Sequence, residues 1–168
     1  PMKFEVKRSK GFEGMAQSPD GRFLYALLEG PLWVEATNTF ESLNGKTYLR
    51  ILEFDVAREE FTGKSFKYAL DMPANAIGDF NLIDASSGLI IERDDTEGEP
   101  SMACKDGVLK PDCFNVPAKF KRIYKIDFAQ ADADGFVKKV GFIDLGMVGR
   151  MDEDLRRARS ASAAARGR

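Results

Sequence analysis

The sequence contains no histidine. This absence excludes mechanisms that need an imidazole from this chain, including the Ser-His-Asp triad and zinc held by histidine. Acid–base chemistry would therefore depend on carboxylates, lysine, tyrosine or metal-bound water. The sequence also lacks a strong charge imbalance, since its formal net charge is −2, so nucleic acid is not expected as a partner. No apolar run reaches the roughly 18 residues that a membrane span requires.

Cysteine is scarce, with only Cys104 and Cys113 present. Their spacing is too wide for a CxxC pair, and no histidine or third thiol completes a metal site. They are either free thiols or a disulfide that closes a loop. We favour the disulfide, because a flexible loop with Asp-Gly and Lys-Pro turn signals gains most from such a link. A disulfide here would indicate an oxidising compartment.

The apolar segments of this 168-residue chain are short and are separated by turn signals, of which Asp20-Gly21 is the strongest. They predict four strands in each of two units, at about 14–17, 23–29, 48–57 and 65–71, then 76–85, 88–94, 120–129 and 139–146. Residues 49–56 align with 121–128, which indicates a repeat. Four-stranded antiparallel units used twice predict an all-β fold with about two blades of a β-propeller.

The predicted blades occupy residues 10–72 and 75–147 of a single domain, 1–149. Residues 150–168 are rich in Arg, Ala and Ser and have few large apolar side chains. They predict a flexible or short helical tail that cannot bury a core. A closed propeller takes at least about four blades. We therefore expect the chain to be a fragment whose partners include the remaining blades of a longer parent.

Charged residues are predicted to collect at one edge of the blades, because successive strands of a meander alternate in direction. The long loops 30–47 and 95–119 emerge from the same edge. The charged residues assigned to this edge are Glu13, Glu29, Arg50 and Asp71 in the first unit, and Asp79, Glu92, Arg93, Asp94, Lys121 and Arg122 in the second. Charged residues are also common at strand ends simply because strand ends meet water.

Glu13 and Asp79 stand near the starts of the first strands of their units, which line the channel of a propeller. Two carboxylates at a channel mouth predict a hard-cation site, and calcium takes roughly six to eight oxygen ligands. Arginines at the same edge would bind an anionic substrate through charge-assisted hydrogen bonds.

Five segments, in order, resemble the esterase-like phytase family: GFEGMAQSPDGRFLYALLEGPL, YLRILEFDVAREEFTG, AIGDFNLID, GLIIERDD and KRIYKIDF. The resemblance implies a β-propeller, secreted or periplasmic, that hydrolyses phosphate or carboxylic esters. Similar propellers hold calcium at the channel mouth, which by position implies Glu13 and Asp79 as ligands. Glu92, Arg93 and Arg50 match motif positions of the family and are the catalytic candidates.

The expected function is therefore hydrolysis of a small-molecule ester or phosphoester by a phytase-like domain that carries calcium. An alternative is a non-catalytic propeller module that binds a partner through loops 30–47 and 95–119. A third possibility is a β-rich structural piece without activity of its own.

Overall fold

The computed structural model describes residue 6 and residues 10–105 and 108–146. The elements in this part of the chain are strands, apart from one short 3₁₀ helix, Pro100–Met102. In chain order the strands are β1 (Phe12–Gln17), β2 (Phe23–Leu28), β3 (Trp33–Val34), β4 (Thr39–Phe40), β5 (Ser42–Leu43), β6 (Lys46–Asp55), β7 (Glu60–Ala69), β8 (Ala76–Leu82), β9 (Ser87–Arg93), β10 (Lys121–Asp127) and β11 (Lys138–Asp144). The predicted tail, 150–168, lies outside the described residues.

Two four-stranded antiparallel sheets form the body of the structure. The first blade has the order β1-β2-β6-β7, and the second has the order β8-β9-β10-β11. The connection between β2 and β6 adds the small β3-β4 ribbon and β5, which pairs with β6. The predicted all-β fold with two four-stranded antiparallel blades is therefore confirmed.

Aspartate side chains close equivalent turns in the two blades. Asp55 Oδ1 accepts hydrogen bonds from the backbone N–H groups two and three residues later, at 3.0 and 3.1 Å. Asp127 Oδ1 makes the same two bonds, at 2.8 and 3.2 Å. Short acidic side chains favour this turn geometry because they satisfy backbone donors locally. The aligned segments of the sequence thus end their third strands in the same way, as expected of a repeat.

The main core lies between the two blades. It consists of nearly or fully buried apolar and aromatic side chains from both blades. They are Leu27, Leu49, Ile51 and Tyr68 of the first blade and Ile77, Phe80, Ile90, Tyr124 and Ile126 of the second. Each such side chain contributes about 1.5–3 kcal/mol through burial. The first strands of the two blades, β1 and β8, are called the inner strands. They approach closely at Gly14, where a Cβ atom would lie 2.6 Å from Cβ of Phe80. Glycine at this position therefore allows the two inner strands to pack against each other.

The connection between β10 and β11 covers the outer edge of the first blade. Lys67 on β7 donates its backbone N–H to the Gly135 carbonyl at 2.8 Å and accepts from the Val137 N–H at 2.9 Å. The Phe136 ring packs edge-on against Tyr48, with centroids 5.6 Å apart. This connection therefore joins the blades in addition to the core.

Loop 95–119 is closed by a disulfide between Cys104 and Cys113, with an S–S distance of 2.09 Å. The favoured interpretation of the two cysteines is therefore confirmed. Next to the disulfide, the Cys104 N–H donates to the Phe114 carbonyl at 3.0 Å, and the Phe114 N–H donates to the Met102 carbonyl at 2.8 Å. No helix in the described part of the chain is long and apolar enough to cross a membrane.

Candidate functional site

Charged residues from both blades meet where β2 and β9 end. Lys10 Nζ lies 3.1 Å from Glu29 Oε1, and Arg93 Nη2 lies 3.8 Å from the same oxygen. Arg93 Nη1 also lies 3.3 Å from Asp95 Oδ1. Lys10, Glu29 and Asp95 line a cavity of about 160 Å³ together with Asn75. We call this the rim cavity, and Arg93 lies beside it through its contacts with Glu29 and Asp95.

Glu92 is adjacent to Arg93 in sequence but faces the interior and is completely buried. Its Oε1 accepts hydrogen bonds from the Asp71 backbone N–H and from Asn75 Nδ2, both at 2.8 Å. Its Oε2 accepts from the Tyr68 hydroxyl and from Lys139 Nζ, also both at 2.8 Å. Four donors from both blades and from the segment between them therefore satisfy this carboxylate.

The hydrogen-bond network around Glu92 continues through Asp71. Lys139 Nζ lies 2.5 Å from Asp71 Oδ1, while the Tyr124 hydroxyl donates to Asp71 Oδ2. Partial burial opposes ionisation of Asp71, but the hydrogen bonds from Lys139 and Tyr124 outweigh it and lower its pKa. Burial, together with the bond to Asp71, raises the pKa of Tyr124 to about 12. Burial and the nearby Glu92 raise the pKa of Tyr68 further still.

Arg122 extends the same network toward the end of β11. Its Nη1 lies 3.4 Å from Asp71 Oδ2 and its Nε lies 3.1 Å from Asp144 Oδ2. The guanidinium also stacks between two rings, 4.6 Å from the centroid of Phe120 and 4.4 Å from that of Phe142. Arg122, which the sequence placed on the charged edge, is therefore held by two carboxylates and two aromatic rings.

Arg50 has a separate environment. Its Nε lies 3.0 and 3.1 Å from the two oxygens of Glu41, and its Nη2 lies 2.7 Å from Glu41 Oε2. Tyr48 donates its hydroxyl to the same carboxylate at 2.8 Å. The hydrogen bond to Glu41 raises the pKa of Arg50. No hydrogen bond or ion pair within the described part of the chain joins Arg50 to Glu92 or Arg93, so the three catalytic candidates lie in three different settings.

Glu13 and Asp79 are both exposed on the inner strands. Both strands carry a β-bulge, because the register shifts between Phe12 and Gly14 in β1 and between Ile77 and Asp79 in β8. Glu13 therefore corresponds to Gly78 rather than to Asp79. The two acids therefore differ by one position in the strand ladders, an offset that the sequence alone does not show.

The inner strands nevertheless bring the backbones near Glu13 and Asp79 together. A Cβ atom at Gly14 would lie 3.3 Å from the carbonyl carbon of Asp79. Asp79 Oδ1 accepts from the Phe80 N–H at 2.7 Å and its Oδ2 accepts from Asn81 Nδ2 at 2.9 Å. Across the described residues, no group of three or more Asp, Glu, His or Cys side chains is arranged to hold a metal. The roles of these two acids as ligands stay predictions.

Sequence reasoning missed several residues of these clusters, namely Lys10, Glu41, Tyr68, Asn75 and Lys139. A signal for Tyr68 and Lys139 was present, because strand side chains alternate between the two faces. The contacts of Lys10, Glu41 and Asn75 depend on loops whose paths the sequence pattern does not define.

Comparison with known families identifies the chain. A family model described as Phytase-like, esterase-like activity of phytase, matches residues 1–160. The chain belongs to this phytase-like family. No curated protein and no solved structure matched the chain in the corresponding comparisons. The family match identifies an esterase-like or phytase-like hydrolase domain and confirms the resemblance carried by the five sequence segments.

Proposed function

We propose that this phytase-like domain hydrolyses phosphate or carboxylic esters of small molecules, with calcium at the channel mouth. The match to the phytase-like family over residues 1–160 is the observation that carries this proposal. The meeting of charged groups from both blades at the rim cavity supports it, because ester hydrolysis develops negative charge that nearby cations stabilise.

Calcium would be held by Glu13 and Asp79 in this proposal. Both carboxylates are exposed, and the close approach of β1 to β8 at Gly14 brings their backbones near each other. Two carboxylates supply at most about four of the roughly six to eight oxygens that calcium takes, so backbone carbonyls and water would complete the set. When bound, the ion would polarise an ester oxygen or lower the pKa of a bound water.

Arg93 would bind the anionic group of the substrate beside the rim cavity, where it contacts the lining residues Glu29 and Asp95. Its side chain is 31% exposed, and guanidinium groups recognise phosphates and carboxylates through paired hydrogen bonds. Arg50 makes three contacts of 2.7 to 3.1 Å with Glu41, whereas the carboxylate contacts of Arg93 are longer, at 3.3 and 3.8 Å, so a substrate would displace the partners of Arg93 more easily. Glu92 has no exposed surface. We therefore propose that Glu92 positions the segment that follows β7, and its neighbour Arg93, without contacting substrate.

The test combines calcium titration by calorimetry with hydrolysis of p-nitrophenyl phosphate and p-nitrophenyl acetate by the full chain. We expect Glu13→Gln and Asp79→Asn each to weaken calcium binding by about tenfold or more. Loss of a residue that only hydrogen-bonds to a metal ligand already lowers metal affinity by about tenfold, and loss of a ligand itself should cost at least as much. The matched control is Glu60→Gln, an exposed carboxylate that pairs with Arg58 on the first blade. Unchanged calcium affinity in both site variants would reject the metal role.

A partner-binding role remains the second candidate, and exposed apolar residues of loop 95–119 favour it. Met102, Val108, Leu109 and Val116 have exposed fractions of 43%, 60%, 69% and 55%. The hydrolase proposal expects Val108→Ser and Leu109→Ser to leave calcium binding and turnover unchanged. If the unsubstituted chain hydrolyses neither ester, with or without calcium, a binding module is favoured instead.

We also propose a secreted or periplasmic location. The disulfide between Cys104 and Cys113 supports it, because such bonds persist in oxidising compartments. Labelling of free thiols in protein isolated from its native source tests this proposal, which expects no reaction before reduction.

A further inference from the structure

We propose that a second cavity, of about 300 Å³, binds the phosphate group of a small phosphoester. It lies where loop 95–119 meets the start of β10 and the end of β11, and we call it the loop cavity. Its lining includes Ser101, Lys119, Phe120 and Lys121. This proposal rests on the proposed hydrolase function only in treating the bound phosphate as part of a substrate.

The loop cavity has walls that are fixed by specific bonds. Asp94 Oδ2 accepts the backbone N–H groups of Lys119 at 2.8 Å and Phe120 at 3.1 Å. The Ala118 N–H donates to the Glu97 carbonyl at 3.1 Å, which joins the two ends of the loop. Burial opposes ionisation of Asp94, but the backbone donors outweigh it and lower its pKa. The start of β10 is therefore held in one place relative to the loop.

The disulfide holds the rest of the loop against this frame. The Cys104–Cys113 bond closes the part of loop 95–119 that lies between Ser101 and Ala118, two residues of the cavity lining. Gly98, also in the lining, has a φ of 76° and packs so closely that a Cβ atom would lie 2.1 Å from the Phe114 ring. A side chain at this position would therefore move the wall of the cavity.

The charge of the loop cavity favours an anion. Lys119 and Lys121 are both exposed at its lining, and neither ammonium has an ion-pair partner among the described residues. The acid in the lining, Glu99, accepts a hydrogen bond from the Ser101 hydroxyl at 3.2 Å. Two cations and one anion leave an excess of positive charge. A phosphate monoester carries a charge of about −1.5 to −2 at neutral pH, which matches two lysines better than a carboxylate does.

Phe120, an aromatic residue of the lining, offers apolar surface for the rest of the ligand. The Arg122 guanidinium lies over its ring, 4.6 Å from the centroid. In the β10–β9 ladder Lys121 pairs with Arg93, whose side chain contacts Glu29 and Asp95 of the rim cavity. The loop cavity therefore lies beside the proposed substrate edge. A phosphate held by the lysines would leave the body of the ester against an aromatic ring.

The experiment measures binding of inorganic phosphate to the full chain by amide chemical shifts, with acetate as the comparison anion. We expect saturable shifts at the amides of Lys119, Phe120 and Lys121, and weaker binding of acetate. Substituting both lysines, Lys119→Gln with Lys121→Gln, is expected to weaken phosphate binding by about tenfold or more, the loss of charge-assisted hydrogen bonds. Lys125→Gln is the matched control, because Lys125 is an exposed lysine on the same strand.

The proposal would be overturned if phosphate binding persisted in the double variant or if the chemical-shift changes were confined to residues around the rim cavity. Equal binding of acetate, or the absence of saturable phosphate binding, would also overturn it. The measurement involves neither calcium nor turnover. The Glu13→Gln variant is expected to keep phosphate binding even where it loses calcium. A failure of the loop cavity is therefore distinguishable from a failure of the proposed hydrolase function.

Discussion

Replacement of Glu92 by glutamine is expected to destabilise the whole fold, although the two side chains have almost the same shape. All four groups that contact the Glu92 carboxylate are hydrogen-bond donors. A glutamine side chain offers one oxygen and one NH₂ group. The NH₂ group takes the place of a carboxylate oxygen that accepted two hydrogen bonds, so it faces two donors. The hydroxyl of Tyr68 can rotate and the amide of Asn75 can turn around, but the other two donors cannot reverse.

Either orientation of the glutamine therefore directs its NH₂ group at a fixed donor. In one orientation this donor is the Asp71 backbone N–H, and in the other it is the Lys139 ammonium. The change also removes the charge that offsets partly buried Lys139. Breaking a buried pair in this way costs about 3–5 kcal/mol, and we expect about 3 kcal/mol because Asp71 still pairs with Lys139. For a domain of this size the loss lowers the Tm by about 6–12 °C.

The assay is urea unfolding of the full chain and of Glu92→Gln, followed by circular dichroism and fluorescence. With an m-value of about 2 kcal/mol/M, the midpoint falls by about 1.5 M while the slope stays constant. Glu60→Gln is the control, because its exposed pair with Arg58 is worth less than about 1 kcal/mol. Equal midpoints for the two variants would refute the reasoning, because burial and donor count would then have no energetic consequence.

Three further predictions concern packing, pH and the disulfide. Gly14→Ala places a methyl group 2.6 Å from Cβ of Phe80 and should lower the free energy of unfolding by about 1–3 kcal/mol. Gly11→Ala is the control, because a Cβ atom there has no neighbour within 4 Å, and it should leave the free energy of unfolding unchanged. Because the pKa of Tyr124 is raised to about 12, its contribution to stability is complete below pH about 10 and is lost as the pH rises toward about 12. Absorbance at 295 nm should follow this step, and Tyr124→Phe should reduce its amplitude while leaving the part that belongs to Tyr25, whose pKa is also raised to about 12. Reduction of the disulfide should accelerate protease cleavage of loop 95–119 but not of the first blade, and an unchanged rate would show that the link does not constrain the loop.

The strands and their order could be predicted from the sequence because the turns carry strong local signals. Asp20 and Gly21 form a turn that is closed by Ser18, and Asp55 and Asp127 end equivalent strands. These signals act over two to five residues. The same local chemistry made the repeat visible, since the aligned segments share both their apolar positions and their closing aspartates.

The site was less predictable, because its geometry depends on which face of a strand each residue occupies. Glu92 and Arg93 are neighbours that the sequence placed on one edge, yet Glu92 is buried against Lys139 and Arg93 contacts Glu29 and Asp95 beside the rim cavity. Because successive side chains of a strand point to opposite faces, the sequence could have predicted that Glu92 and Arg93 lie in different environments. The register shifts at Glu13 and beside Asp79 were not predicted, because the place where an extra residue enters a strand depends on how the strands pair.

The backbone connection from Lys67 to Gly135 and Val137 makes the outer edges of the two blades unequal. β7 has its free backbone groups partly occupied, whereas β11 pairs only with β10 among the described residues. β11 also exposes Val140, Phe142 and Ile143 over more than half of their surfaces. An open apolar edge strand is a template for strand addition. Aggregation of this chain in concentrated solution is therefore expected to begin at the second blade, and a lysine introduced into β11 would be the first substitution to try for improving its solubility.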